Sequence, residues 1–460
     1  MKTKTKKLLT LSLALAMVMQ LAFATTASAA NSDLLADVLR TTKGTGKEAE
    51  GMTTKKVSVK FINKKNEVTS RKMVIYTPDG VEAPMPVIFI PHYPMDPDDA
   101  ELQRYLKLGC AVASAYNTKK EGDHNGELTS DDLVFNNACL YKLRHMKQFD
   151  KQRILLIGGS AGGYMTLMLN ALQMGITASV ANSPICNIYF NLNQYCKDLQ
   201  KKPQGKLVVI TALALTQFTD NFNDFPNNKD YSRWEAFSPC TLTGDFSSPI
   251  VINHWTSDVL VPISQLSRKV AKKPGATMPS GIRYTLPKDN PGQLSKDLLS
   301  GLPKNLTKVH EYKNQSSNYK MSYDTNYMFY INVCDDGQMQ CLGAHQGLIG
   351  VGTPIESDYV KTMLKKTLKN TETLQTGKLL LFLERYQGKS KQLPAHTGVD
   401  DTVYGSLAMY RKEIVEELGT YAKNHSKSDL DTAMKKAIAT LSGSQKTQYT
   451  KTWNQIKAQL

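Results

Sequence analysis

The stretch Arg153–Met165, RILLIGGSAGGYM, sets one serine among four glycines directly after an aliphatic run. The run 154–157 is short and apolar, which is typical of a buried strand. The segment 161–174 is longer and apolar on nearly every face, which is typical of a buried helix. Ser160 therefore falls where a strand turns sharply into a helix, and this junction constrains the fold more than any other part of the chain.

The glycines around this serine have the spacing of a nucleophile elbow. Gly158 and Gly162 complete the pattern G-x-S-x-G. Such a turn strains the serine backbone, lifts the hydroxyl clear of the sheet and leaves no room for flanking side chains. The following helix directs backbone N–H groups at an anion forming near Ser160. The pattern predicts a nucleophilic serine, although a flexible glycine-rich turn would also fit the pentapeptide alone.

The remaining elements alternate between strand and helix. This alternation predicts an α/β fold with a mostly parallel sheet that helices cover on both faces. In such a sheet, ligands bind at the carboxyl ends of the strands. The predicted strands are 56–62, 71–77, 86–91, 109–115, 154–157, 178–181, 249–255 and 327–333, and the predicted helices are 99–108, 131–149, 161–174 and 356–368.

Changes in composition along the chain divide it into four predicted segments. Residues 1–29 are predicted to be a signal peptide and 30–370 the α/β domain. Within that domain, 265–326 is rich in lysine, proline and glycine with weak periodicity, so we interpret it as an insertion before the last strand. A lid over the serine is the favoured role, and a surface embellishment away from it is the alternative. Residues 371–460 are lysine-rich with apolar positions at helical spacing, which predicts a helical C-terminal extension. A partner-binding role is one alternative for this extension.

The helical extension also carries an apparent helix start. Ser428 and Asp431 have the spacing of a capping box for its second helix.

The N-terminus has the pattern of a bacterial-type secretory signal. A basic start, MKTKTKKLL, precedes an apolar core at 10–24 and the small-residue cleavage site Ala27-Ser28-Ala29. We therefore expect a secreted or extracytoplasmic protein, with a retained anchor as the alternative. No later segment is long and apolar enough for a membrane span.

The net charge indicates which classes of binding partner to expect. The formal charge of +16 falls to +12 without the four lysines at positions 2, 4, 6 and 7. The excess is spread through lysine pairs rather than gathered on an aromatic-lined stripe, which argues against nucleic-acid binding. Loose association with an anionic cell envelope is the expected consequence.

Seven cysteines are too few for a disulfide scaffold in a chain of 460 residues. Cys334 with Cys341, and Cys186 with Cys196, are close enough in sequence to form disulfides in an oxidising compartment. There is no C-x-x-C pair and no histidine cluster with metal-ligand spacing. The sequence therefore predicts neither a metal site nor a bound cofactor.

A serine nucleophile needs a base, and the base needs a carboxylate to orient it. In chains with this elbow the order is serine, acid, histidine. His345 lies in a small-residue loop between the last predicted strand and helix, which makes it the preferred base. Asp258 directly follows the strand 249–255 and is the preferred acid. The alternatives for the two roles are His310, His396 and His425 for the base, and Asp335 and Asp336 for the acid.

The oxyanion hole requires two donors aimed at the developing negative charge. One is the backbone N–H of Ala161, next to the nucleophile. The other should come from the loop after the strand 86–91, which reads His92-Tyr93-Pro94. Pro94 has no N–H, so Tyr93 is the candidate through its backbone or its hydroxyl. An aromatic side chain that simply packs there is the alternative.

Three segments together resemble the catalytic domain of the prolyl oligopeptidase family, a branch of the α/β-hydrolases, with kinship to dienelactone-hydrolase-like proteins and acetyl-xylan esterases. They are PVIFIPHY, FDKQRILLIGGSAGGYM and the acid loop SPIVINHWTSDVLVPISQ. The resemblance covers about 56–368 and implies the α/β-hydrolase fold. It also implies catalytic roles for Tyr93, Ser160, Asp258 and His345.

The chain departs from the family pattern in several places. The oxyanion strand meets HYPMDPDD instead of a glycine-rich loop, and acid and base lie 87 residues apart. Only a few tens of residues precede the sheet, too few for a β-propeller.

We therefore expect a secreted serine hydrolase that forms an acyl-enzyme on small esters or short peptides, with esters slightly favoured. A serine peptidase is the first alternative, and a non-catalytic cell-envelope binding protein is the second.

Overall fold

The computed structural model describes residues 51–92, 95–115, 131–191, 231–256, 258, 261–271, 297–313, 326–335 and 354–460. The strands in these ranges are β1 (Met52–Ile62), β2 (Val68–Pro78), β3 (Met85–Ile90), β4 (Ala111–Ala115), β5 (Phe149–Gly159), β6 (Ala178–Asn182), β7 (Ile250–Trp255), β8 (Thr307–Lys313) and β9 (Phe329–Asp335). They form one sheet in the order β1-β2-β4-β3-β5-β6-β7-β9-β8.

The helices in the described ranges fall into two sets. Those that precede or accompany the strands are α1 (Ala100–Leu106), α2 (Asp131–Arg144), α3 (Ala161–Leu172), α4 (Tyr231–Ala236), α5 (Arg268–Ala271) and α6 (Leu298–Gly301). Those that follow the last strand are α7 (Pro354–Met363), α8 (Leu368–Thr371), α9 (Thr376–Tyr386), α10 (Leu407–Asn424), α11 (Lys427–Ala439) and α12 (Gly443–Lys457).

The sheet is mostly parallel, as predicted. Only β2 runs against its neighbours, pairing antiparallel with β1 and β4. From β4 through β3, β5, β6, β7 and β9 to β8, every pairing is parallel. Strands that are buried on both faces have nearly continuous apolar sequences, which is why most of them could be predicted.

Helices cover both faces of the sheet, also as predicted. Successive side chains of β5 enter opposite cores: Ile154 and Leu156 pack with α2 and α3, whereas Leu155 and Ile157 pack with α1 and α7. This division follows from the two-residue repeat of a strand.

Part of the predicted insertion belongs to the sheet. Residues 307–313 form β8, which pairs with β9 along its whole length at the edge of the sheet. The sequence did not predict this strand. Because β8 lies between β7 and β9 along the chain, it accounts for part of the wide spacing between the acid and base candidates. Residues 272–296 and 314–325 lie outside the described residues, and the lid role stays a prediction.

The C-terminal extension is helical, as predicted, and packs on the sheet unit. Helices α9 to α12 enclose an apolar cluster that includes Met174, which follows α3. The amide of Ile62 in β1 also donates to the carbonyl oxygen of Tyr404 at 2.7 Å. The predicted cap Ser428 is wrong, because α11 begins two residues earlier and Ser426 accepts from the amide of Asp429.

The predicted signal segment 1–29 lies outside the described residues. Among the residues described, no helix is long and apolar enough to cross a membrane. Of the predicted cysteine pairs, Cys196 and Cys341 also lie outside. The described cysteines are buried, and the amide of Cys240 donates to the carbonyl oxygen of Cys186 at 3.0 Å.

Candidate active site

Ser160 occupies the turn between β5 and α3 in a strained conformation. Its φ of 54° and ψ of −119° lie in a region that residues with a side chain rarely adopt. The amide of Ser160 donates to the carbonyl oxygen of Asn182 at 2.8 Å, and its carbonyl accepts from Tyr164 at 2.9 Å. Ser160 is partly exposed while the residues on either side of it are buried. The turn therefore brings this serine to the surface of the carboxyl edge of the sheet.

The glycines make the turn sterically feasible. A side chain at Gly158 would clash with the carbonyl oxygen of Gly162 and lie 2.7 Å from Oγ1 of Thr166. A side chain at Gly163 would lie 3.1 Å from the carbonyl oxygen of Asn182. Strand, turn and helix thus pack closely at Ser160, as the elbow pattern predicted.

Ala161 is the first residue of α3 and is buried. Amides in the first turn of a helix have no intrahelical partner. Its position beside Ser160 suits the predicted oxyanion donor.

Three asparagines form a hydrogen-bonded row across the strands next to Ser160. Asn253 of β7 donates through Nδ2 to Oδ1 of Asn182 at 2.8 Å, and Asn332 of β9 donates through Nδ2 to Oδ1 of Asn253 at 2.7 Å. All three are buried and directly opposed in register. This asparagine row fixes β6, β7 and β9 to one another just before the site loops begin. Sequence reasoning missed it.

Asp258 lies in the turn that follows β7 and is almost fully buried, with 1% exposed. Its Oδ1 accepts from the amide of Val261 at 2.9 Å, and its own amide donates to the carbonyl oxygen of Trp255 at 3.3 Å. Since β5 and β7 are both parallel strands of one sheet, Asp258 and Ser160 follow strands that end at the same edge. The structure thus places the acid candidate where the sequence predicted.

Gln265 ties this acid loop to the segment after β6. Its Oε1 accepts from the amides of Cys186 at 2.7 Å and Asn187 at 3.1 Å, while its Nε2 donates to Oδ1 of Asn191 at 2.9 Å. The sequence placed Gln265 at the boundary of the insertion and gave it no role.

His345 and Tyr93 lie outside the described residues, as does Asp336. The chain reaches 336–350 from β9, which ends at Asp335 on the same edge as Ser160. The alternative bases lie elsewhere. His310 is on the edge strand β8 and stacks on Tyr330 with ring centres 6.1 Å apart. His396 and His425 belong to the C-terminal extension, the latter at the end of α10.

His92, next to Tyr93, is held by the start of α2. Its backbone has a φ of 75° and its amide donates to Oδ1 of Asn136 at 3.3 Å. Its Nδ1 lies 3.7 Å from Oδ2 of Asp132, whose Oδ1 accepts from Arg71 at 2.5 Å. Burial alone would raise the pKa of Asp132, but contacts with His92 and Arg71 outweigh it and hold that pKa below its ordinary value.

The far side of the same loop is also fixed. The amide of Met95 donates to Oγ of Ser114 at 3.1 Å, and its carbonyl oxygen accepts from the hydroxyl of Tyr76 at 2.5 Å. Both ends of the segment that carries Tyr93 are therefore anchored to buried groups. The only signal in the sequence was the position of His92 directly after a buried strand.

The sheet order, the antiparallel β2 and the strained serine between β5 and α3 define the α/β-hydrolase fold. No family model matches the chain. No curated protein matches it by sequence.

Solved structures show a partial likeness. Oligopeptidase B from Leishmania major has 13% identity and a TM-score of 0.42, over 70% of this chain and 38% of that one. An acylaminoacyl peptidase from Pyrococcus horikoshii has 15% identity and a TM-score of 0.40, over 76% and 43%. An acetyl xylan esterase from Paenibacillus sp. R4 has 15% identity and a TM-score of 0.36, over 48% and 73%. The match spans less than half the length of either peptidase.

Proposed function

We propose that this chain is a serine hydrolase that forms an acyl-enzyme at Ser160 and favours carboxylic esters. The observation that carries the proposal is the backbone of Ser160, held at a φ of 54° and partly exposed amid buried residues. Backbone strain of this kind costs about 1–3 kcal/mol and persists only where the surrounding contacts hold the residue in place. Such residues occur most often at active sites.

In the proposed reaction, Oγ of Ser160 attacks the carbonyl carbon of the ester while His345 accepts the hydroxyl proton. Asp258 orients the imidazole and stabilises its charged form. The amide of Ala161 and a donor from Tyr93 stabilise the oxyanion. His345 then protonates the departing alkoxide, which leaves an acyl-enzyme. Water deprotonated by His345 attacks the acyl carbon, which releases the carboxylic acid and returns the proton to Ser160.

A pair of substrates with the same acyl group tests the preference for esters. We expect p-nitrophenyl butyrate to be hydrolysed with a larger rate enhancement over its uncatalysed reaction than p-nitrobutyranilide. Ser160→Ala should abolish both activities, because triad members act as a unit. A larger enhancement for the anilide, or for a proline-containing peptide p-nitroanilide, would contradict the preference and support the peptidase alternative.

We further propose that the protein is exported and acts outside the cytoplasm, in loose association with the cell envelope. The N-terminal pattern at 1–29 supports this proposal. Expression of the full chain in a bacterial host should yield a mature protein that begins at Ala30, as read by N-terminal sequencing. A product that retains Met1 in the cytoplasm would refute export.

A further inference from the structure

The end of α3 far from Ser160 is held by two buried basic side chains of the C-terminal extension. Lys378 donates through Nζ to the carbonyl oxygens of Asn170 at 2.7 Å and Gln173 at 2.8 Å. Arg385, two turns further along α9, donates to the carbonyl oxygen of Leu172 at 2.7 Å. Neither side chain is exposed to solvent. The last carbonyls of a helix need such donors, and cations there also interact favourably with the helix dipole.

These contacts form a closed network. Arg385 also donates to Oε2 of Glu413 in α10 at 2.9 Å, and the same oxygen accepts from the hydroxyl of Tyr404 at 2.7 Å. Tyr404 in turn accepts from Nε2 of Gln173 at 3.1 Å. The network therefore returns to Gln173, the residue directly after α3.

The turn that follows α3 is held in the same way. The amide of Met174 donates to Glu417 at 3.1 Å, and the amide of Gly175 donates to Glu372 at 2.9 Å. Glu417 also forms an ion pair with Arg144 of α2. Glu372, directly after α8, and side chains of α9 and α10 thus fix the backbone from Asn170 to Gly175.

We propose that the C-terminal extension is a positioning unit for the nucleophile, in which Lys378 sets the placement of α3 and thereby of Ser160. This proposal rests on the proposed function. With a rise of about 1.5 Å per residue, α3 is a rigid rod of about 18 Å with Ser160 at one end and the two basic side chains at the other. A shift at the far end moves the serine, and a misplacement of about 1 Å can cost on the order of a hundredfold in rate.

Lys378 offers the cleaner test of the two side chains. Both of its hydrogen bonds within the described part of the chain go to carbonyl oxygens at the end of α3, whereas removing Arg385 would also remove the shorter of the two ion pairs of Glu413. Lys378→Met removes the donors with little change in volume, and Lys378→Arg restores them. Leu430→Ala is the matched control, because Leu430 is a buried residue of α11 in the apolar cluster that α9 to α12 enclose.

Each full-length variant would be assayed for kcat and KM with p-nitrophenyl butyrate and for Tm. We expect Lys378→Met to lower kcat on the order of ten- to a hundredfold with KM nearly unchanged, and Lys378→Arg to recover most of that loss. Leu430→Ala should lower Tm at least as much while its kcat stays near the wild-type value.

The positioning role is overturned if folded Lys378→Met keeps the wild-type kcat, or if Leu430→Ala loses kcat in the same proportion. If Lys378→Met does not fold, Arg385→Lys replaces it, since it keeps the charge but shortens the reach to Leu172. Unchanged kcat in that variant would likewise overturn the proposal that the C-terminal extension positions the nucleophile. A wild-type chain that no fluorophosphonate labels would instead refute the proposed function and this role with it.

Discussion

The backbone of Ser160 is joined to that of Asn182 by a 2.8 Å hydrogen bond, and the side chain of Asn182 is joined in turn to Asn253. The nucleophile turn is thereby connected through the asparagine row to β9, which leads to the loop of the proposed base. The buried side-chain amides of the row hold together the ends of β6, β7 and β9. These strand ends adjoin the Ser160 turn, the Asp258 loop and the loop of the proposed base. We expect this row to matter for both stability and rate.

The central asparagine of the row should be the most sensitive to mutation. Asn253→Ala leaves both Oδ1 of Asn182 and Nδ2 of Asn332 without the partners they have now. We expect a loss of about 1–3 kcal/mol in the free energy of unfolding, since each of the two lost hydrogen bonds contributes about 0.5–1.5 kcal/mol. Asn332→Ala, at the end of the row, removes only the hydrogen bond to Asn253. Its loss in the free energy of unfolding should therefore be about half as large. Urea unfolding measures both, and equal losses would contradict this account.

A substitution of the acid candidate separates its catalytic role from its structural one. Asp258→Asn keeps the oxygen that accepts from Val261 but should hold His345 in the wrong tautomer. We expect a loss in kcat on the order of 10⁴ with little change in Tm. Asp335→Asn and Asp336→Asn are the matched controls. A loss below about tenfold for Asp258→Asn, paired with a large loss in either control, would assign the role to the later loop.

The backbone of His92 offers a test of the oxyanion loop. His92→Ala and His92→Gly both remove the imidazole that faces Asp132, but only alanine retains a side chain at a φ of 75°. Because a left-handed conformation costs a residue with a Cβ about 1 kcal/mol, the alanine variant should be the less stable of the two. It should also have the lower kcat. Thermal denaturation compares the stabilities of the two variants, and ester hydrolysis compares their kcat values. A more stable alanine variant would show that residue 92 does not keep its positive φ.

Glu372 should make the stability of the fold depend on pH. Burial raises its pKa from 4.5 to about 7, so the folded chain retains a proton that the unfolded chain releases above about pH 4.5. Its contribution to stability is therefore complete below about pH 4.5 and is lost as the pH rises to about 7.

Glu372→Gln removes this titration and keeps the oxygen that accepts from Gly175. The free energy of unfolding should fall by about 2–3 kcal/mol less between pH 4.5 and 7.5 in the variant than in the wild type. Urea titrations at the two pH values measure this difference. Parallel pH profiles for the two proteins would contradict the raised pKa.

Sequence reasoning was most successful where local pattern and fold agree. The apolar strands, the tight turn at Ser160 and the position of Asp258 directly after β7 each follow from a few adjacent residues. It failed at β8, because TKVHEYK holds only two apolar residues, Val309 and Tyr312, three positions apart, and Val309 on this edge strand is 39% exposed. The predicted β5 also began at Ile154 rather than Phe149, because the four residues between them are polar and interrupt the apolar pattern of the strand.

Features that depend on contacts distant in sequence could not be predicted. The asparagines of the row are 71 and 79 residues apart, and each is unremarkable in its own strand. Lys378 lies 208 residues from the carbonyl of Asn170 that it binds, in a segment whose many lysines suggest a solvated surface. Its burial arises only when the C-terminal helices pack on the end of α3.

Covalent labelling of Ser160 tests the central claim most directly. The purified chain would be treated with a fluorophosphonate probe and analysed by intact mass and by peptide mapping, with Ser160→Ala and heat-denatured protein as controls. We predict a single adduct on the peptide that contains Ser160 in the native wild type and no adduct in either control. A folded wild type without an adduct would support the non-catalytic alternative, and equal labelling of Ser160→Ala would show that the nucleophile lies elsewhere; either result would contradict the account.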